Sequence, residues 1–483
     1  MKRLLRNRWS LLALVLLAAG AGWWWIDEAL GERMWQRYAA EARARGVKLT
    51  FAELFPKPEV PDAENYVAGP FWRTRAGVPS AFKFPSISPP VHSTGSGGVE
   101  PGFYFPTNLA DWRIEFARCG WLGKAQDQGT DLEAVQRALE HVQAQFAEIR
   151  QSTGRPHAYL ALDWSKVNND DRTMLAAGIR VVWVLRVKAV VEWKQGHKDE
   201  ALATWMDLAE LVRMPEAAPY IFTNLIALDL DQALLSALCD GLEGGYLDEP
   251  TLKKMQEKIA ARNPLARYAA CLQGERVFLN AVMERPGYQS ESRDNAWKNG
   301  KYREWLQLHR PRGWRELQIS YNREIDAELG NVDLATETWR PSADHASQRK
   351  EVLEAVSRGL LPVAESFDPT ATLYSQVTLN MHAQMRMAEL ACALERHRLA
   401  RGRYPEQLSE LVPEFIAKLP LDPCNGQPFR YQCTKPGEYL LSSVGRKDPK
   451  EEGKPAPPFD YTEEDWRWPL PRKAAQDKIS NSK

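Results

Sequence analysis

The stretch ERHRLARGRYPEQLSELVPEFIAKLPLDPCNGQPFRY, Glu395–Tyr431, closes a long helical pattern and opens something different. Upstream of it, Thr372–Arg401 keeps Val377, Met381, Met385, Ala388, Cys392 and Leu399 near one face, the spacing of a core stripe. His382, Glu389 and His397 read as scattered around that cylinder and do not make an H-E-x-x-H metal pair. Gly402-Arg403-Tyr404-Pro405 then turns the chain out of the helix. Leu408–Leu411 is a short helix ended at Pro413, and Asn425-Gly426 marks a turn. Phe429-Arg430-Tyr431 and Tyr439-Leu440-Leu441 follow as two strands. Each stop has a local cause: proline lacks an amide donor, and glycine accepts positive φ.

In this order of long helix, turn, short helix, Leu-Pro and Asp-Pro turns and paired strands, residues 392–446 resemble the globular end of the major pseudopilin of type II secretion. The resemblance implies a small α+β module in an exported protein. Two departures argue against a pilus subunit: the family's N-terminal processing site is absent, and the N-terminal apolar run lies far from the sheet. The resemblance also implies a calcium loop after the sheet. Here that loop reads GRKDPKEEG, and Asp448, Asp460 and Asp465 are the oxygen donors available to a hard cation. Cys424 and Cys433 flank the Asn425-Gly426 turn and the first strand, and across a small exported sheet they are expected to form a disulfide.

Before the long helix, the pattern from Asn108 to Arg401 is helical. Thr130-Asp-Leu-Glu133 is a capping box opening a helix. Asp171–Gln195 is a second helix, nearly apolar in GIRVVWVLRVKAVVEW but carrying Arg180, Arg186 and Lys188, which excludes a membrane span there. Residues 182–215 resemble a single tetratricopeptide-like hairpin, with Gly196 at the turn and Ala189, Ala201, Trp205 and Leu208 at packing positions. One copy implies a helical hairpin and does not make an array. Ile221–Leu242 is another apolar helix, interrupted by Asp229 and Asp231. Buried carboxylates need partners, so these two are expected to pair with Arg180 or Arg186. A catalytic role for them is the alternative.

The chain begins MKRLLRNRWSLLALVLLAAGAGWWWIDEAL. Lys2, Arg3, Arg6 and Arg8 precede an uncharged run, Ser10–Ile26, which as a helix spans about 25 Å. Trp23, Trp24 and Trp25 suit the far interface, and the positive block keeps the N-terminus cytoplasmic. A cleaved signal peptide with Ala19-Gly20-Ala21 as its site is the competing reading. Three tryptophans directly after a cleavage site weigh for an uncleaved anchor. Either way the bulk of the chain is exported, and the anchor places it at the inner membrane facing the periplasm.

The expected fold is mainly α. Residues 1–28 are the anchor, 29–107 a polar helix plus a Pro/Gly-rich extended region, and 108–371 a helical domain. Residues 372–446 make the long helix with its small antiparallel-sheet module, and 447–483 a charged tail whose Trp466 and Trp468 tuck back onto the sheet. The 44% hydrophobic content supplies a sizeable core. Lys+Arg and Asp+Glu both number 63, without a long basic stripe, which argues against nucleic acid as a partner. Six cysteines lack C-x-x-C spacing, and Cys239, Cys271 and Cys392 sit in apolar helical contexts. P-loop, G-x-S-x-G and G-x-G-x-x-G motifs are missing, and no cofactor is implied. The expected function is therefore a membrane-anchored interaction or scaffold protein of the envelope. An exported hydrolase with a site assembled from distant groups, such as Asp229, Asp231 or His157, is the alternative.

Overall fold

The computed structural model describes residues 8–54, 60–73, 106–123, 127–159, 169–218, 220–285, 309–340, 368–435, 437–445 and 467–468, with isolated positions between 285 and 309. Eleven main helices carry these residues. They are α1 (Arg8–Ala44), α2 (Leu109–Arg118), α3 (Asp131–Leu139), α4 (Gln143–Arg150), α5 (Asn169–Lys194), α6 (Lys198–Glu210), α7 (Ile221–Glu243), α8 (Glu249–Ala260), α9 (Pro264–Met283), α10 (Pro311–Leu329) and α11 (Asp368–Arg401). The chain is mainly α, as its periodicity predicts.

Local chemistry sets the helix starts. Thr130 accepts from the Glu133 amide at 3.3 Å while Glu133 accepts from the Thr130 amide at 2.9 Å, so the capping box forms. Asn108, Asp248 and Asn263 cap α2, α8 and α9 in the same way, and proline opens α8 and α9 where its missing donor costs nothing. Gly196, at φ +80°, makes the α5–α6 turn.

α1 is one unbroken helix of 37 residues. Its apolar half is bare, with Trp23 69% and Trp25 76% exposed, and it is long and apolar enough to cross a membrane. Its second half packs along α10. α7 passes the same length and hydropathy test but is buried nearly all round, between α5, α9 and α11, as the core helix of a domain. α11 lies against α7, α8 and α9 and is buried over most of its middle.

Two small sheets complete the fold. β1 (Val332–Asp333) and β2 (Thr338–Trp339) form a hairpin, with Val332 opposite Trp339. β3 (Arg430–Lys435), β4 (Glu438–Ser442) and β5 (Arg467–Trp468) are antiparallel in that order. Leu441 and Trp468 are opposite each other and buried, and β5 rests on α11. Trp468 thus tucks onto the sheet, whereas Trp466 lies outside the described residues. The β1–β2 hairpin, which the sequence pattern did not announce, ties the domain to the module: Trp339 donates its amide to Pro423 O at 2.9 Å. The stretch RKEVLEAVSRGLL, Arg349–Leu361, whose pattern reads as a short helix ended by Pro362, also lies outside the described residues.

Candidate functional site

Asp231 is completely buried, and its partners come from the α8–α9 connection. Arg262 Nε donates to Oδ1 at 2.9 Å and Arg267 Nη2 to Oδ2 at 2.5 Å. Arg186 pairs with Asp240, Nε to Oδ2 at 2.8 Å, and Thr107 donates its amide and hydroxyl to the same carboxylate at 3.0 and 2.7 Å. The expected pairing of Asp231 with α5 is therefore corrected. At about 100° per residue, Asp231 and Asp240 stand on opposite sides of α7, so only Asp240 faces α5. The side chain of Arg180 lies outside the described residues. Asp229 is half-buried, makes no hydrogen bond or ion pair within the described set, and is pushed up to about 7 by desolvation.

Neither Cys424 nor Cys433 is in a disulfide, which corrects that expectation. Cys424 Sγ lies 3.6 Å from Ser443 Oγ, inside the Asp422 turn, while Cys433 is exposed on β3 with its thiol toward Glu438 O at 3.7 Å. Cys239, Cys271 and Cys392 are buried, and burial pushes the Cys271 thiol up to about 12. Trp205 is fully buried in the core, as its packing position in the hairpin requires. His157 is exposed and 3.9 Å from Glu64. Asp448, Asp460 and Asp465 lie outside the described residues. Among the described residues no group of three or more His, Cys, Asp or Glu is placed to hold a metal.

A polar groove of about 650 Å³ opens between Thr107–Ala110, Thr130–Leu132, Lys194 and Tyr246. Two helix N-termini border it, but Asn108 and Thr130 already take amides there, so the groove presents few unsatisfied donors.

The denser constellation lies along α11. His382, Arg386 and Glu389 stand at i, i+4 and i+7, one above another on the same face, which corrects the reading of His382 and Glu389 as scattered. Arg386 donates to Ala260 O at 3.1 Å, to Glu389 at 2.8 Å and to Arg262 O. Its Nε is 3.6 Å from Glu337, and His382 Nε2 is 3.4 Å from the same carboxylate oxygen. Asn263 donates to the other oxygen of Glu337 at 3.0 Å. Asn224 joins this seam to Asp231, donating to Thr378 at 3.0 Å and accepting from Arg267 at 3.1 Å. Burial, with help from the Arg386 charge and against Glu337, holds His382 down to about 4, so it is neutral near pH 7. The approach of His382 and the Arg386 charge hold Glu337 below its usual range.

Glu337, Arg262, Arg267, Asn263 and Arg386 escaped the sequence reading. The i, i+4, i+7 spacing of His382, Arg386 and Glu389 in one helix was the available signal for part of the cluster. No family model, curated protein or solved structure matches this chain.

Proposed function

We propose that the protein is a membrane-anchored interaction protein of the cell envelope. In this reading α1 crosses the inner membrane, and the helical domain with its C-terminal module faces the periplasm as a scaffold for other envelope proteins. One observation carries the reading. α1 leaves its bare apolar half without a break and is locked at once to α10. Asp27, immediately after the apolar run, is 3% exposed and accepts from the Arg312 amide at 3.1 Å. Gly31 lets the backbones of the two helices meet: a Cβ there would lie 2.9 Å from Arg312 Cα. Further along, Trp35 stacks on Tyr38 and lies under the Arg315 guanidinium, and Arg315 pairs with Glu32 at 2.9 Å.

A flexible stalk would let the domain diffuse about its anchor. A continuous helix fixed to the domain holds one face at a set height and orientation over the bilayer, which suits a docking platform. The basic block before the apolar run supports the orientation. The short sheet on the last turns of α11, in the segment resembling the pseudopilin end, supports an envelope setting.

Membrane fractionation followed by in-cell photo-cross-linking of the full-length protein tests the reading. Retention in carbonate-washed membranes, protease access only from the periplasmic side, and repeated capture of the same envelope proteins are expected. Release by carbonate would overturn the anchor. Absence of cross-links from probes around the domain would overturn the scaffold.

A further inference from the structure

We propose that Asn263, His382 and Arg386 form a carboxylate-binding pocket, filled in this structure by the chain's own Glu337 and available to an outside carboxylate when the β1–β2 turn moves away. The pocket is built from buried groups: His382 is 0% exposed and the Arg386 side chain 6%, while the Glu337 side chain that enters it is 36% exposed. The occupant therefore reaches in from the surface, and the path it follows is open to solvent.

Glu337 fits the pocket incompletely. Asn263 makes a good hydrogen bond to it, but His382 Nε2 and Arg386 Nε stand at 3.4 and 3.6 Å, and both nitrogens lack a hydrogen-bond partner among the described residues. Buried donors left short in this way cost free energy. A carboxylate free of the hairpin could approach both more closely.

The turn that delivers Glu337 is itself strained. Residue 337 has φ +54°, the left-handed region, and is the one non-glycine with positive φ among the described residues. That conformation suits glycine or asparagine at the end of a hairpin loop. Asp333 braces the turn by accepting from the Ala335 amide at 2.9 Å and the Thr336 hydroxyl at 2.7 Å. A strained backbone that aims an acidic side chain at buried donors has the form of an internal ligand.

Charge selects the class of ligand. At the pocket itself Arg386 faces two carboxylates, Glu389 and Glu337, while Arg262 and Arg267 are already served by Asp231 and Glu216. Removing Glu337 takes one negative charge from beside Arg386, which a monoanionic carboxylate restores and a phosphate dianion exceeds. The inference is independent of the membrane reading.

Glu337→Gly in the full-length, detergent-solubilised protein tests it, because glycine relieves the backbone and empties the pocket. Its unfolding midpoint is expected to fall in chloride buffer and to rise saturably, by several degrees, with acetate or formate at matched ionic strength. Wild type should respond at least tenfold more weakly, since its own carboxylate competes. N-acetylglutamate N-methylamide separates the sources: a response to it points to an acidic side chain of a protein, and a response to acetate alone points to a small molecule. If Glu337→Gly folds only with acetate or formate, the pocket is supported. Lack of any acetate or formate effect on its folding or midpoint overturns it. Glu337→Gln fills the space with a neutral amide and should ignore acetate; a response equal to that of Glu337→Gly, or an equal response in wild type, also overturns the proposal.

Discussion

The carboxylate of Asp27 accepts a hydrogen bond from the Arg312 amide across 285 residues of sequence, and so caps the first turn of α10 from the first turn beyond the apolar run. An acidic group at a helix N-terminus satisfies an orphan amide and opposes the helix dipole. Arg312 Nε and Arg310 Nη2 approach the same carboxylate at 3.5 and 3.9 Å. The junction between apolar helix and domain is thereby a packed interface, and movement of one half of α1 is transmitted to the domain.

Gly31→Ala probes that junction with a sign that propensity alone would get wrong. Alanine favours a helix interior over glycine by about 1 kcal/mol. Here its Cβ would meet Arg312 Cα at 2.9 Å, and backbone cannot swing aside as a side chain does. We expect a net loss of about 1–2 kcal/mol. Thermal unfolding should show it, with faster hydrogen exchange along α10. A midpoint above wild type would show that the two helices are not in contact.

Asp231 and its arginines provide the largest single-site effect. Asp231→Ala leaves Arg262 buried without a counter-charge and Arg267 with only the partly exposed Glu216, with an expected cost of about 3–5 kcal/mol. A double-mutant cycle separates this pairing from the one the sequence suggested. Asp231→Ala and Arg267→Ala should couple by more than about 1 kcal/mol, because they share one network. Asp231→Ala and Arg186→Ala should add within about 0.5 kcal/mol, because Arg186 serves Asp240 on the other side of α7. Strong coupling in the second cycle would contradict the structure.

The same residues show why part of the fold was legible and part was not. Capping at Thr130, the breaks at Gly196 and Gly402, and the two strands after Asn425-Gly426 depend on chemistry within a few residues, so the sequence shows them directly. The burial of α7 followed from its apolar composition. The choice between Arg186 and Arg262 as partner for Asp231 depends on which face of α7 meets which helix, and that is set by packing across the whole domain. Arg262 and Arg267 sit in a stretch, ARNPLAR, that reads as a polar turn. Glu337 lies in a four-residue turn with no periodicity, and nothing local indicates that its side chain enters the core.

Asp229 links stability to pH. Desolvation raises its folded-state value to about 7 from an ordinary carboxylate range near 4. Between those values the folded chain holds a proton that the unfolded chain has released, so the contribution of this group to stability falls as pH rises from about 4 to about 7 and stays low above that. Asparagine in its place removes the titration. The midpoint of Asp229→Asn relative to wild type should therefore climb across that window and level off near pH 8. A difference that does not vary with pH would mean that Asp229 is hydrated or paired in solution.

Asp422 holds the C-terminal module closed. Its Oδ1 accepts from the Cys424 amide at 3.0 Å and the Ser443 hydroxyl at 2.9 Å, and its Oδ2 from the Val444 amide at 2.8 Å. It thus joins the turn before β3 to the residues after β4, and it is 1% exposed. Charge-assisted bonds of this kind are individually worth about 1.5–3 kcal/mol and are not additive, so we expect Asp422→Ala to cost about 2–4 kcal/mol. Asp422→Asn should lose nearly as much, because its amide donor would face a donor at one of the two backbone sites. Only β3–β5 and the turn depend on these bonds, whereas α5–α7 are packed elsewhere. Hydrogen exchange should accelerate first at Cys424, Val444 and the β4 amides, with α5–α7 protected as in wild type. Uniform acceleration through both regions would instead make the module and the helical domain a single cooperative unit.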